Sequence, residues 1–87
     1  MRKADFDLAA GAIEGVRSGD LRNAQQILER NRHILQAPGV LGMWVGAQAS
    51  RPYIMVAVQE NHGKEISKAI PDSLDGINVY YLEGSLV

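Results

Sequence analysis

The spacing of apolar residues changes abruptly at Ala37-Pro38-Gly39, and this change is the strongest constraint on the fold. Before it, apolar side chains recur every three or four residues, which is the period of an amphipathic helix. After it they alternate, which is the period of a strand with two different faces. Proline lacks an amide hydrogen and disfavours helix for the residue before it, so the boundary is sharp. The sequence therefore predicts an α+β domain whose first half is helical.

The first half is predicted to form a helical hairpin over residues 5–36. A first helix is expected from Phe6 to Val16 with Asp5 as its N-cap. Gly19 is expected to end that helix, and Asp20 to cap a second one. The second helix has the stronger pattern because three leucines lie seven residues apart along it. They are Leu21, Leu28 and Leu35. We expect this stripe to be shielded from water by a sheet or by a second molecule.

The second half begins with two predicted strands. Alternation predicts one from Val40 to Ala47, and the segment from Tyr53 to Val58 is apolar on both faces, as in a covered strand. The residues between them, 49–52, are turn-forming, so the two strands are expected to form an antiparallel hairpin.

A short helix and a last strand are expected to follow. Asn61 is predicted to cap the helix and Pro71 to close it, with a turn over residues 72–76. The apolar positions of the two elements are Ile66, Ala69, Ile70, Ile77, Val79 and Tyr81. A helix between two strands favours a right-handed crossover that makes them parallel. The full prediction is two N-terminal helices packed on a three-stranded ββαβ sheet over residues 40–84, with strand order 2-1-3.

Composition limits both the size and the class of the protein. The chain has 87 residues without low-complexity sequence, so we expect a single domain, 1–87. A formal net charge of −1 provides little field for concentrating nucleic acid, and the absence of cysteine excludes disulfides and thiolate metal sites. The sequence shows neither a signal peptide nor a segment long enough to span a bilayer. A cytoplasmic location without a membrane partner is therefore expected.

The sequence offers few side chains for catalysis. His33 and His62 are the near-neutral bases, and His33 follows Glu29 at the spacing of a helical ion pair. The serines lie in no nucleophile motif and there is no phosphate-binding loop, so we expect neither enzymatic activity nor a cofactor. His62 is close in sequence to Glu60 and Glu65. This leaves open a metal site, and with it a small-ligand or metal sensor.

Basic residues on the second helix raise a different possibility. Arg22, Arg30 and Arg32 could form a strip that contacts phosphates. Asp20 and Glu29 dilute this strip, and no aromatic recognition motif accompanies it. Nucleic-acid binding is therefore a further alternative, and a solvated helix face is the simpler interpretation.

Trp44 is the most informative single residue. It lies two residues from both Gly42 and Gly46, so all three side-chain positions share one face of a strand. The glycines either make room for the indole or allow another backbone to approach. Trp44 can complete the core, or it can form an aromatic interface with Tyr53 or Tyr80.

Three stretches of the second half together resemble a known kind of module. They are residues 38–46, Pro52 with the strand 53–58, and Ile70-Pro71-Asp72 with the segment 76–79. Over residues 38–84 they resemble a short ββαβ module of bacterial protease-associated proteins. These include the pro-regions of alpha-lytic-type proteases and uncharacterised trypsin-like relatives. The resemblance implies a unit that binds another protein.

These observations lead to one main functional hypothesis. The chain is expected to be a non-enzymatic protein-interaction or regulatory module that forms a homodimer. The expected contacts are the aromatic residues and the leucine stripe named above. The small-ligand or metal sensor and the nucleic-acid binder remain the alternatives.

Overall fold

The computed structural model of the protein describes residues 1–4 and 15–84. The helices are α1 (Ser18–Arg30), a 3-10 helix (Arg32–Gln36) and α2 (Gly63–Ala69). The strands are β1 (Arg2–Lys3), β2 (Val40–Gln48), β3 (Arg51–Gln59), β4 (Ser73–Leu74) and β5 (Ile77–Gly84). The predicted α+β class is confirmed. The first predicted helix, Phe6 to Val16, falls largely on residues 5–14, outside the described residues.

β3 is the central strand of the sheet, and its side chains are buried on both faces. Tyr53, Ile54, Met55 and Val56 are at most 4% exposed. β3 pairs antiparallel with β2 and parallel with β5, so the described strands follow the order β1-β5-β3-β2, with β4 paired to β5. The predicted parallel crossover is confirmed. The predicted order 2-1-3 placed the first strand of the hairpin, now β2, in the middle; this is wrong, because β3 lies between β2 and β5. The hairpin pairs β2 with one side of β3, and the crossover through α2 returns the chain to the other side.

The hydrophobic core lies on one face of this sheet. The described helices α1 and α2 both pack there. Helix α1 corresponds to the second of the two predicted N-terminal helices, and α2 to the short helix predicted between the second and third strands. The buried core residues are Met1, Ile27, Ile34, Ile54, Val56, Val58, Ile66, Ile70, Val79 and Tyr81. By register, Trp44, Met55 and Tyr80 belong to the opposite face. Each strand therefore places alternate residues toward the helices.

Helix α1 begins earlier than predicted. Arg17 occupies the N-cap position, so Gly19 does not end a helix and Asp20 does not cap one. Asp20 lies in the first turn instead, where its negative charge is favourable beside the positive end of the helix dipole. The helix ends at Arg30 because Asn31 leaves helical geometry, and its side-chain amide donates to the Ile27 carbonyl at 2.8 Å.

The leucine stripe is not the buried face of α1. Ala24 and Ile27 are buried, whereas Leu21 and Leu28 are partly exposed, with Leu28 at the margin of the core. Leu35 is also partly exposed and belongs to the 3-10 helix. The break at Asn31 therefore interrupts the seven-residue repeat. Part of the stripe remains available at the surface.

Helix α2 is capped by a different residue from the one predicted. His62 is its N-cap, and Asn61 has the left-handed φ of 71° that asparagine tolerates in turns. The backbone N–H of Asn61 donates to Glu83 Oε2 at 2.8 Å, which ties this turn to β5. Ile66 is buried as predicted, but Ala69 is exposed.

The N-terminal residues attach α2 to the sheet, which the sequence did not indicate. The Met1 side chain is buried, and its ammonium group donates to the carbonyl oxygens of Ser67 and Ile70. The Asp72 carboxylate lies 3.4 Å from the same ammonium group. β1 then continues parallel to β5 and covers that edge of the sheet.

Two tight turns require left-handed backbone conformations. Between β2 and β3, Ala49 has a φ of 52° and Ser50 a φ of 63°. Between β4 and β5, Asp75 has 50° and Gly76 has 86°. Two successive positive φ values are typical of the type I′ hairpin turn, which favours Asn-Gly or Asp-Gly. The second turn has the preferred sequence, whereas Ala49-Ser50 adopts this geometry at a cost.

We expect Ile27→Ala to lower the free energy of unfolding by about 3 kcal/mol, because it leaves a cavity beside β3. Leu21→Ala, on the partly exposed side of the same helix, should cost less than about 1 kcal/mol. Urea denaturation followed by far-ultraviolet circular dichroism measures both. Equal losses in the two variants would contradict the assignment of the buried face.

We expect the double variant Ala49→Asn/Ser50→Gly to raise the free energy of unfolding by about 1 kcal/mol, since it relieves left-handed strain. Gly76→Ala, in the turn that already has a favourable sequence, should lower it by about the same amount. The same urea titrations test both changes. An unchanged or lower stability in the double variant would argue against strain at Ala49-Ser50.

Candidate functional site

Pro52 reveals which backbone groups of β2 point out of the sheet. Opposite residues of an antiparallel pair alternate between pairs that exchange two hydrogen bonds and pairs that exchange none. Pro52 lies opposite Ala47 and has no N–H, so this pair exchanges no hydrogen bonds. Val45 and Met43, two and four residues earlier, also belong to pairs that exchange no hydrogen bonds with β3. Their N–H and C=O groups, like those of Ala47, therefore point away from β3.

No described strand pairs with this side of β2. β2 ends the sheet, and in residues 1–4 and 15–84 no further backbone hydrogen bond involves Met43, Val45 or Ala47. The strand contains neither a charged residue nor a proline, the features that usually protect exposed edges from pairing. We call this side of β2 the free edge. The opposite edge of the sheet, at β5, is covered by β1.

A groove of about 770 Å³ runs beside the free edge, between β2 and helix α1. Its lining residues are Leu21, Arg22, Gln25, Gln26, Leu28, Glu29, Arg30, Met43, Trp44 and Val45. We call this space the edge groove. Leu21, Leu28, Met43 and Val45 provide apolar surface, while the charged and amide side chains of α1 provide a polar rim. Helix and strand thus leave a channel beside backbone groups that pair with no other described residue.

Trp44 is the exposed large hydrophobic residue of the described chain, with 43% of its surface accessible. It lies opposite Met55 on the sheet face away from the helices. A Cβ added at Gly42, on the same face, would meet no atom within 4 Å, so the space beside it is open. Of the two interpretations of Trp44 that the sequence allows, exposure is the one observed.

Tyr53 and Tyr80 do not form an open platform with Trp44. Tyr53 is 4% exposed, and its ring fills the position that a Cβ at Gly46 would occupy. The Tyr53 and Tyr80 rings meet edge to face with centroids 5.6 Å apart. The Arg2 guanidinium lies 5.5 Å from the centre of the Tyr80 ring. Gly46 therefore makes room for a tyrosine from the neighbouring strand.

Of the three predicted interface leucines, Leu21 and Leu28 line the edge groove and Leu35 does not. The structure brings these two together with Trp44, through α1 and β2. Sequence reasoning missed Met43 and Val45, although Pro52 at a fixed distance from the turn is a signal that could have identified them.

The predicted arginine strip is interrupted by carboxylates. Arg30 lies 3.7 Å from Asp75, and Arg32 lies 3.2 Å from Glu29. Arg22 lines the edge groove. Two of the three arginines therefore have an acidic neighbour, which weakens the strip as a site for phosphates.

The residues predicted for a metal site, Glu60, His62 and Glu65, are all exposed around the start of α2. In the part of the chain that the structure describes, no three histidine, aspartate or glutamate side chains are grouped closely enough to hold a metal ion. The structure does not assemble this ligand set.

Comparison with known proteins gives no relative: no family model, curated protein or solved structure matches the chain. None of the helices in the described part of the chain has the length and apolar sequence needed to cross a membrane.

Burial raises the pKa of the Tyr53 phenol above its ordinary value of 10.0, and the neighbouring Tyr80 raises it further. Above pH 10 the unfolded chain loses this proton while the folded protein keeps it. The free energy of unfolding should therefore fall as the pH rises through 10, and this contribution should level off above the folded pKa. In Tyr53→Phe, the free energy of unfolding measured by urea titration should fall less steeply with pH. Identical slopes in both proteins would contradict the burial of this phenol.

Proposed function

We propose that this protein is a non-enzymatic protein-interaction module that binds an extended polypeptide segment along the free edge of β2. The added segment forms a further strand of the sheet and occupies the edge groove. This mode of recognition uses main-chain hydrogen bonds for affinity and side-chain pockets for specificity.

The backbone groups of β2 point in the direction that strand addition requires. Met43, Val45 and Ala47 present alternating donors and acceptors to an incoming strand. Each hydrogen bond gained contributes about 0.5–1.5 kcal/mol, because bonds to water are lost in exchange. Several such bonds together provide useful affinity for any segment that can extend fully.

The edge groove offers side-chain pockets to the added strand. Successive residues of an added strand point alternately to the two faces of the sheet. On the helix side they meet Leu21 and Leu28, which favours apolar residues at every second position. On the other side they meet the indole of Trp44, which is of the type that anchors interfaces. Arg22 and Glu29 at the rim then favour particular partners by charge.

One observation carries this proposal: Met43 and Val45 supply both the outward-facing backbone groups and part of the floor of the edge groove. Backbone groups without a partner among residues 1–4 and 15–84 thus coincide with an apolar channel along the same residues. The charge-free sequence of β2 agrees with this, since a strand that must stay unpaired usually carries a charged residue or a proline.

We expect peptides selected from a random ten-residue display library, on sparsely immobilised protein, to alternate apolar and polar residues and to depend on the free edge. Val45→Pro removes one outward amide without removing a hydrogen bond to β3, so it should weaken binding about tenfold or more. Val45→Ala, which keeps the amide, is the matched control and should weaken binding less. Fluorescence anisotropy of the labelled peptides measures all three affinities.

Hydrogen exchange in β3 shows whether each variant remains folded. If Val45→Pro does not fold, Ala47→Pro removes a second outward amide and replaces it in the comparison. Peptides that bind the proline variants and the unchanged protein equally well would refute strand addition, and so would a library without enriched sequences.

A further inference from the structure

We infer that the strand that occupies the edge groove is β2 of a second copy of this chain, antiparallel to the first about a two-fold axis at Trp44. This inference rests on the proposed function and names its partner. It follows from the fact that the edge groove is complementary to itself, as the interface of a two-fold dimer must be.

The hydrogen-bonding groups of β2 fit this arrangement. With the axis at Trp44, Met43 lies opposite Val45 of the second copy, and both have outward-facing backbone groups. The two residues therefore exchange two hydrogen bonds, and symmetry repeats the pair on the other side of the axis. An axis midway between two neighbouring residues would place outward-facing groups opposite inward-facing ones and would lose these bonds.

The exposed indole explains why the axis lies at Trp44. The two Trp44 residues would form a pair without mutual hydrogen bonds, which is the closer kind of pair, with side chains in contact. Each indole would lie diagonal to Gly42 of the other copy, where the structure leaves open space. The dimer would thereby bury a side chain that is 43% exposed in the single chain.

Helix α1 shows the same symmetry in its charges. The groove-lining residues of α1 are centred between Gln25 and Gln26, so an antiparallel copy places Arg22 opposite Glu29 of the second molecule. This contact occurs twice in a two-fold dimer. Glu29 already lies 3.2 Å from Arg32 of its own chain, so the second molecule would extend an existing ion pair.

The first experiment measures mass. Sedimentation velocity of the full chain from low to high micromolar concentration should show a monomer converting to a dimer. Val45→Pro removes the same hydrogen bond from both copies and should raise the dissociation constant roughly tenfold or more. Arg22→Glu and Glu29→Arg should each weaken the dimer, and the double variant should restore it.

The second experiment tests the register with single cysteines, since the chain has none. Two cysteines at position 44 would lie in a closely spaced pair, about 4.5 Å apart between Cα atoms, within the reach of a disulfide. Two at position 42 would lie on the order of 13 Å apart. In a glutathione redox buffer, Trp44→Cys should form a covalent dimer on a non-reducing gel, and Gly42→Cys, on the same face, should not.

The outcomes separate the two proposals. A chain that stays monomeric at high micromolar concentration but still binds selected peptides through Val45 refutes the self-pairing and leaves strand addition standing. A dimer that cross-links equally well at positions 42 and 44 refutes this axis. So does a dimer whose dissociation constant is unchanged in Arg22→Glu and Glu29→Arg. A dimer insensitive to Val45→Pro, together with the absence of peptide binding, overturns both proposals.

Discussion

The pairing of β2 with β3 is the interaction on which the rest of the structure depends. A two-residue turn at Ala49-Ser50 fixes its register, and side chains alternate between faces with a period of two. A shift of this register by one residue would bring Trp44 to the face covered by the helices and expose Met43 and Val45 on the opposite face. The register therefore decides both which residues enter the core and which amides point to the free edge. The core and the candidate site follow from the same constraint.

The two edges of the sheet are treated differently. At the β5 edge, Arg2 and Lys3 pair with the strand, and the Met1 ammonium and side chain attach the adjoining helix α2. Unpaired edges favour association with other chains, and the segment at this edge prevents that. At the β2 edge the chain places helix α1 far enough from the strand to leave a groove. This asymmetry supports the proposal that β2 binds a further strand.

The sequence predicts local structure here better than it predicts arrangement. The change of period at Pro38 correctly separates helix from strand, and the continuous apolar run over β3 correctly marks a covered strand. A run that is apolar on both faces also indicates a strand in the middle of the sheet, but the predicted order placed this strand at an edge. The predicted helix caps were wrong because the side chains of Asp20 and Asn61 suit several turn geometries as well as N-caps. β1 could not be predicted, since two charged residues acquire strand structure only from pairing with β5.

The site was predicted in part, for a physical reason. Exposure of Leu21 and Leu28 depends on how far α1 lies from β2, and exposure of Trp44 depends on what covers the sheet face away from the helices. Periodicity contains no information about either. Sequence patterns describe faces, whereas an edge is defined by the absence of a neighbour. Pro52 is the exception, because a residue without an amide hydrogen restricts which side of its partner strand can be bonded. A proline near a hairpin turn can thus locate outward-facing amides once the pairing is known, and here it locates them beside the exposed indole.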